Sequence, residues 1–176
     1  MSLGSPETIR HRAGIGLGAN LGERLEALQQ ARQALLAIEG LSPPVTSSAI
    51  YETDPVDCPP DAPSFYNAVV ELDCALHPTL LLDHLQEIER AMGRPSKRPR
   101  NGPRPIDLDI LYIGNLVLQN EEILIPHPRL VQRRFVLQPL ADVAPDLILP
   151  GRQQTIAQLL ENLDDLTEVR KVVSLW

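Results

Sequence analysis

The order of strand-like and helix-like segments is the feature that most constrains the fold of this chain. Apolar residues at every second position predict strands, and apolar residues three or four positions apart predict helices. Strands are predicted over 9–20, 45–52, 65–72 and 106–113, and helices over 21–38 and 78–92. The resulting order β-α-β-β-α-β, followed by a C-terminal extension, is typical of an α+β, ferredoxin-like α/β sandwich with a mainly antiparallel sheet.

Turn-forming residues set the predicted ends of these segments. Pro43-Pro44 is predicted to break the chain before the second strand, and Gly114-Asn115 indicates a hairpin after the fourth. Pro78 suits the first turn of the second helix, and Gly93 suits its end. The first helix is predicted to bury one side, formed by Leu21, Leu25, Leu28, Leu35 and Ile38. Further helical segments are predicted near 131–141 and over 155–163.

Length, composition and charge bound the class of protein. The 176 residues predict a single domain over 9–176, preceded by residues 1–8 as a disordered tail or a remnant of cloning. The net charge of −7 argues against a general nucleic-acid binder, which would carry a broad cationic surface. Two cysteines, no signal peptide and no apolar run of membrane-spanning length predict a cytoplasmic protein. We expect a monomer that binds neither nucleic acid nor a membrane.

A basic loop followed by two aspartates carries most of the chemical information. Five of the 16 Lys and Arg residues lie between Arg94 and Arg104, and no acid is among them. Asp107 and Asp109 follow at i and i+2 of a predicted strand, so their side chains share one face. Neighbouring carboxylates beside a cationic loop suit a site for Mg²⁺ and nucleotide phosphates, and oxygen ligands favour Mg²⁺ over zinc. For the two aspartates, the alternative is a pair of solvated acids at a sheet edge. For the loop, the alternatives are a solvated connection and a lid that closes over a phosphoryl group.

Other polar and aromatic residues carry weaker signals. Gly16-x-Gly18-x-x-x-Gly22 departs from a dinucleotide-binding loop and predicts a strand-to-helix turn, and no P-loop is present. His127, between two prolines and followed by Arg133, is a candidate nucleotide contact. Gln86 and Glu89 share a face of the second helix, which the pattern allows equally to be a solvated stripe. Phe65 and Phe135 could sandwich a flat ring, although the pattern alone favours core packing.

Taken together, these residues resemble the 6-hydroxymethyl-7,8-dihydropterin pyrophosphokinase family of folate biosynthesis. The family signature, a basic residue followed by x-G-P-R-x-x-D-L-D and two aliphatics, matches 100–111 at every defined position. Further matching segments occur in order along the chain: Gly16 to Leu21, Tyr51-Glu52-Thr53, Phe65 to Ala68, and Ile125 to Arg129 with Arg133 and Phe135.

The resemblance implies Mg²⁺-dependent transfer of a pyrophosphoryl group from ATP to the 6-hydroxymethyl oxygen of a reduced pterin, with AMP as the other product. By position, Asp107 and Asp109 would hold two Mg²⁺ ions, and Arg94 and Arg104 would stabilise the transferred group. The implied ATP-binding residues are Gln86, Glu89, Lys97, Ile110, His127 and Arg133. The implied pterin-binding residues are Thr53, Val56, Phe65, Asn67 and Phe135, with the two rings stacking on the pterin faces.

Three positions depart from the most familiar family pattern, and two other functions compete with this one. Asn101 stands where many members carry tryptophan, Ser96 replaces a frequent arginine, and Pro128 replaces a tyrosine. One alternative is an ATP-dependent phosphotransferase that acts on another alcohol, which would yield ADP. The other is an RNA-binding sheet, which would require exposed aromatic and basic residues interleaved on the central strands. The acidic pair on the strand and the acidic chain argue against RNA binding.

Overall fold

A mainly antiparallel sheet organises the structure, a computed structural model that describes residues 10–55, 63–95 and 103–176. Its strands are β1 His11–Ala19, β2 Leu41–Ser47, β3 Ile50–Thr53, β4 Phe65–Cys74, β5 Asp107–Ile113 and β8 Val169–Val173. A separate two-stranded sheet pairs β6 Leu118–Gln119 with β7 Leu124–Ile125. The helices are α1 Arg24–Leu36, α2 Pro78–Ala91, α3 Arg134–Val143 and α4 Ile156–Glu161, and the 3-10 turn Leu130–Gln132 precedes α3.

Strand β1 lies inside the sheet and separates two apolar layers. The strand order is β5-β1-β4-β3-β8, with β2 also paired to β4, and β1 is antiparallel to both of its neighbours. Ala13, Ile15, Leu17 and Ala19 belong to a buried cluster that includes residues of α1 and α2. A second cluster packs Val69 and Leu111 against residues of α3 and α4. Each face of the sheet is therefore covered by its own pair of helices.

The first helix begins later than predicted, and this changes its buried side. Residues 21–23 form a bend in which Gly22 has φ of +62°, so Leu21 precedes the helix and is 40% exposed. Leu25, in the first turn, is 36% exposed, whereas Leu28, Ala31 and Leu35 are fully buried. The predicted apolar side was therefore wrong at its N-terminal end, because the turn rotates those residues away from the sheet.

Two turn predictions were also wrong. Pro43-Pro44 lies inside β2, at the register shift between Ser42 and Thr46, where a strand tolerates residues without an N–H donor. The predicted strand 45–52 is split at Ser48-Ala49 between β2 and β3. A turn does form at Gly114, with φ of +49°, but the next strand pairs with β7 instead of returning along β5.

The C-terminal extension contains the two predicted helices together with β6, β7 and β8, and the pattern did not predict β8. Thr155 caps α4 through a capping box with Gln158, which explains why this short helix forms. Strand β8 has the sequence V-R-K-V-V, whose adjacent charges interrupt simple alternation, and it pairs with β3 at the sheet edge. Within the described residues, no helix combines the length and apolar character needed to cross a bilayer.

Candidate active site

A cleft lies where β1, β3, β4 and β5 face the N-terminal end of α3. It encloses about 850 Å³, part of which is open to solvent. The predicted site residues that line it are Thr53, Phe65, Asn67, Arg104, Asp107, Asp109, His127, Arg133 and Phe135. Residues predicted to bind metal, phosphate and pterin are thus brought together, although they come from widely separated parts of the sequence.

The glycines of β1 create room for this cleft. Gly14, Gly16 and Gly18 alternate with the buried residues of β1 and so lie on the opposite face of the strand. Gly16 and Gly18 line the cleft, and a Cβ atom at Gly18 would approach Asn67 Oδ1 to 3.3 Å. Gly16 and Gly18 lie inside the predicted strand, and of the three glycines of this motif Gly22 alone lies in the predicted strand-to-helix turn. Glycine at every second position of the sequence was the pattern that indicates a strand face without side chains.

One end of the cleft combines a buried amide with two aromatic rings. Asn67 is 7% exposed and donates from Nδ2 to Thr53 Oγ1 at 2.8 Å. The guanidinium carbon of Arg104 lies 5.1 Å from the ring centre of Phe65, and that of Arg133 lies 5.4 Å from that of Phe135. Both rings line the cleft and neither belongs to the two apolar clusters. Phe65 is nevertheless buried, at 9% exposed, whereas Phe135 is only partly buried.

The aspartates of β5 occupy the middle of the cleft. Asp107 Oδ1 lies 2.7 Å from Arg94 Nη1, and its Oδ2 lies 2.8 Å from Arg104 Nη2. Asp109 is on the same face of β5, as predicted, and its side chain is exposed to the open space. The protein atoms that crowd the cleft wall nevertheless desolvate its carboxylate. This desolvation, with the charge of Asp107, raises the pKa of Asp109 to about 6.

Helix α2 ends in a way that places Arg94. Gly93 has φ of +88°, its N–H donates to Arg90 O at 3.1 Å, and Arg94 N–H donates to Glu89 O at 2.9 Å. This pair of hydrogen bonds is a Schellman motif, which favours glycine at the left-handed position. The guanidinium of Arg94 contacts the Glu89 carboxylate as well as Asp107. Gln86 is exposed on the same helix and does not line the cleft.

Asn20 anchors the segment that carries Arg104, a role that sequence reasoning missed. It is 1% exposed and accepts a hydrogen bond at Oδ1 from Arg104 N–H at 2.8 Å. Its own N–H donates to Arg104 O at 3.2 Å, and its Nδ2 donates to Pro63 O at 3.3 Å. The sequence placed Asn20 only at the end of the first predicted strand, within a segment that matches the family pattern. Asp54, which also lines the cleft and pairs with Arg170 of β8, was likewise not predicted.

His127 and Arg133 lie on the cationic side of the cleft. His127 N–H donates to Leu111 O at 2.8 Å, and its Nδ1 accepts from Arg129 N–H at 3.2 Å. Burial, reinforced by the charges of Arg133 and Arg129, lowers the pKa of His127 to about 4, so the ring is neutral near pH 7. Burial is also the main cause that lowers the pKa of Arg133.

A second, shallower depression adjoins the cleft at Asp109 and His127, which line both. It encloses about 650 Å³ and is bordered by Ile110, Leu108 and Ile123. The predicted residues Val56 and Lys97, and the departures at Ser96 and Asn101, lie outside the described residues. Asp109 and His127 therefore lie where an aromatic compartment adjoins one that is lined by aliphatic side chains together with Asn120, Glu121 and Glu122.

The donor set fits magnesium better than a transition metal. In the part of the chain that the structure describes, no group of three or more His, Cys, Asp or Glu side chains is arranged to hold a metal. Mg²⁺ keeps several waters and uses only one or two protein carboxylates together with substrate phosphates. Asp107 and Asp109, adjacent on one face and exposed to the cleft, meet that requirement.

Comparison with known proteins agrees with this geometry. A family described as 7,8-dihydro-6-hydroxymethylpterin-pyrophosphokinase (HPPK) matches residues 14–145. The chain is 41% identical over 151 residues to the Haemophilus influenzae protein named 2-amino-4-hydroxy-6-hydroxymethyldihydropteridine pyrophosphokinase, covering 86% of this chain and 92% of that protein. It is also 41% identical over 151 residues to the folic acid synthesis protein fol1 of Pneumocystis carinii, covering 86% of this chain and 20% of that protein.

A solved structure shows the same fold. The wild-type HPPK-DHPS of Plasmodium falciparum, crystallised with SDX-DHP, superimposes with a TM-score of 0.68 at 16% identity. The match covers 89% of this chain and 45% of that chain. The present chain thus spans nearly all of the bacterial relative, a fifth of the fungal protein and less than half of the solved chain.

Proposed function

The chain belongs to the 7,8-dihydro-6-hydroxymethylpterin-pyrophosphokinase family, and on that premise we propose that it transfers pyrophosphate from ATP to 6-hydroxymethyl-7,8-dihydropterin in folate biosynthesis. The hydroxymethyl oxygen attacks the β-phosphorus of ATP, and the bond from that phosphorus to the oxygen of the α-phosphate breaks. The products are the pterin diphosphate, AMP and the hydroxyl proton.

The observation that carries the proposal is the position of the charged residues between the two compartments. Asp109 lines both the ring-lined cleft and the adjoining aliphatic depression, Asp107 lines the cleft beside it, and Arg94 and Arg104 contact Asp107. Such an arrangement suits a reaction in which a phosphoryl group moves from a ligand on one side to a ligand on the other. Positioning and charge stabilisation provide most of the catalysis in phosphoryl transfer.

The aromatic compartment suits the pterin. Phe65 and Phe135 would stack on the two faces of the ring, and Asn67, held by Thr53, would bind its polar edge. Val56 is proposed for the same compartment by its position in the family pattern. The glycine face of β1 leaves space for a flat ring to lie against the sheet.

The aliphatic depression suits the nucleotide. Ile110 borders it, His127 lines both compartments, and Arg133 lies within reach of the space between them. A neutral His127 with Nδ1 occupied by a backbone amide carries its proton on Nε2, which can donate to a phosphate oxygen. Gln86 and Lys97 are proposed for ATP by family position alone.

Asp107 and Asp109 would hold two Mg²⁺ ions. When bound, these ions would neutralise phosphate charge and orient the ATP chain. Arg94 and Arg104 would then turn from Asp107 toward the transferred group. Their two guanidinium groups would stabilise the negative charge that develops on it in the transition state.

We also propose a domain organisation, an oligomeric state and a fold family for this protein. We regard residues 9–176 as one catalytic domain that acts as a monomer. The antiparallel order β5-β1-β4 followed by β2 and β3, with α1 and α2 on one face, supports a ferredoxin-like core with β8, α3 and α4 as additions.

The test is the identity of the nucleotide product. The protein is incubated with ATP, Mg²⁺ and 6-hydroxymethyl-7,8-dihydropterin, and the nucleotides are separated by chromatography. Stoichiometric AMP and pterin diphosphate are expected. Production of ADP, or no turnover of this pterin, would overturn the proposal.

A further inference from the structure

Glu89 is a buried carboxylate that lines neither compartment of the site. It lies on α2, is 8% exposed, and is absent from the walls of both depressions. A buried charge is costly unless hydrogen bonds and an opposite charge satisfy it. The groups that satisfy Glu89 therefore indicate what it does.

The first of these groups is the backbone of the aspartate strand. Glu89 Oε1 accepts the N–H of Leu108 at 2.7 Å, and Leu108 stands between Asp107 and Asp109. Among the residues that the structure describes, strand β5 is at the edge of the sheet, so its outward N–H groups have no strand partner there. A carboxylate from α2 takes the place of that strand and fixes the peptide that joins the two acids.

The second group is Arg94. In the Schellman motif at the end of α2, Arg94 N–H donates to the backbone oxygen of Glu89. The side-chain carboxylate of Glu89 also contacts the Arg94 guanidinium. That guanidinium also lies 2.7 Å from Asp107 Oδ1. Glu89 is thus connected to Asp107 twice, once through the strand backbone and once through Arg94.

We propose that Glu89 is a positioning residue of this enzyme, which sets the aspartate strand and Arg94 while making no contact with the nucleotide. The inference rests on the proposed function and replaces an ATP contact at this residue with an indirect role. Glu89 Oε1 accepts from Leu108 N–H and also contacts Arg94 Nη1. The bond to the backbone amide needs only an acceptor oxygen, whereas the attraction to the guanidinium is weakened when the negative charge is removed. Glu89→Gln and Glu89→Ala separate these two effects.

The first measurement follows the strand anchor without any substrate. Hydrogen exchange of the Leu108 amide is recorded in the wild type, Glu89→Gln and Glu89→Ala. We expect protection to persist in Glu89→Gln, whose amide oxygen still accepts, and to fall in Glu89→Ala. Equal protection in all three proteins would overturn the anchoring role.

The second measurement separates turnover from nucleotide affinity. Glu89→Gln should lower kcat by about 10- to 100-fold, while the Kd of a non-hydrolysable ATP analogue changes by less than about threefold. Glu87→Gln is the matched control, because it removes the same charge from an exposed position two residues earlier on α2. A loss of analogue affinity that accounts for the whole loss of kcat/KM would make Glu89 a direct ATP contact.

The third measurement is a double-mutant comparison. Because the charge of Glu89 acts through Arg94, Glu89→Gln should add little to the loss caused by Arg94→Ala. Independent, multiplied losses would contradict the connection. If the wild type forms no AMP from this pterin, the proposed function fails, whereas the Leu108 exchange still reports on the anchor.

Discussion

Two arginines share one carboxylate at the centre of the cleft, and the neighbouring carboxylate has a different environment. Asp107 is held by Arg94 and Arg104, so its negative charge stabilises the site. Asp109 is desolvated and repelled by Asp107, and its pKa is raised to about 6. Two aspartates that are equivalent in the sequence thus have opposite effects on the stability of the ligand-free fold.

Substituting each aspartate with asparagine should reveal this difference. Asp109→Asn removes a charge that the fold disfavours near neutral pH, and should raise the free energy of unfolding by about 1 kcal/mol after allowance for the exposed side chain. Asp107→Asn removes the negative charge that contacts both guanidinium groups, although Arg94 keeps its contact with Glu89, and should lower the free energy of unfolding by about 1–3 kcal/mol. Urea unfolding in the presence of a chelator measures both.

Both variants should nevertheless lose turnover with ATP and pterin, because each removes a proposed Mg²⁺ ligand. Near-normal turnover of either variant at saturating Mg²⁺ would contradict the metal assignment. Equal stability changes for the two variants would contradict the electrostatic difference between them.

The glycine face of β1 also has consequences at single residues. A Cβ at Gly18 would lie 3.3 Å from Asn67 Oδ1, whereas a Cβ at Gly16 would make an ordinary contact of 3.4 Å with Leu111. Gly18→Ala should therefore displace Asn67 and weaken pterin binding by about 3- to 10-fold, or about 1 kcal/mol. Calorimetric titration with the pterin compares Gly18→Ala with the wild type. Equal affinities would mean that Asn67 does not bind the ring edge.

The elements that carry the site were partly predictable from the sequence. The shared face of Asp107 and Asp109 followed from strand periodicity, and the end of α2 followed from Gly93. The start of α1 could not be predicted, because Leu21 fits helical spacing but precedes the helix in the bend at Gly22. Strand β8 could not be predicted either, since it pairs with β3, which lies more than a hundred positions away in the chain.

The end of α2 is an element whose geometry should affect turnover. Gly93→Ala places a side chain at φ of +88°, where no other atom lies within 4 Å, so backbone strain alone should cost about 1–2 kcal/mol. The strain should loosen the Schellman motif and with it Arg94, which lowers kcat. Gly151→Ala, at φ of +74° and equally uncrowded, is the control for strain alone.

We expect similar losses of stability in the two variants, but a fall in kcat of about tenfold only for Gly93→Ala. Thermal unfolding and steady-state kinetics provide the two readouts. Equal kcat values for both glycine variants would show that the helix end does not control Arg94.

At the scale of the whole molecule, the site depends on the sheet order. β5, β1 and β4 are neighbours, although β5 follows β1 by almost a hundred residues, and this order brings Asp107, Gly18 and Asn67 into adjacent positions. Local patterns predict β1, β4 and β5 but do not show that these strands become neighbours. The acidic chain also makes the arginines of the cleft a local reversal of the overall charge, which favours entry of an anionic ligand there.

The global stability should respond to acid through His127. Burial first, and then the charges of Arg133 and Arg129, lower its pKa in the folded state from 6.5 to about 4, against an opposing effect of Asp107. At pH values above the pKa of the unfolded chain, such a histidine does not lower the free energy of unfolding. As the pH falls below that value, the unfolded chain binds a proton that the folded protein does not, so stability is lost progressively toward the folded pKa. His127→Gln cannot bind that proton.

Urea unfolding of the wild type and His127→Gln at about pH 7.5 and about pH 5 isolates this contribution, because the other titrating groups are common to both proteins. We expect the wild type to lose about 1–2 kcal/mol more than His127→Gln over this interval, a range that allows for partial solvent screening. The extra loss should be confined to the window between the two pKa values. An equal loss in both proteins would show that His127 binds its proton as readily in the fold as in the unfolded chain, and a neutral phosphate donor at this position would then be untenable near the lower pH.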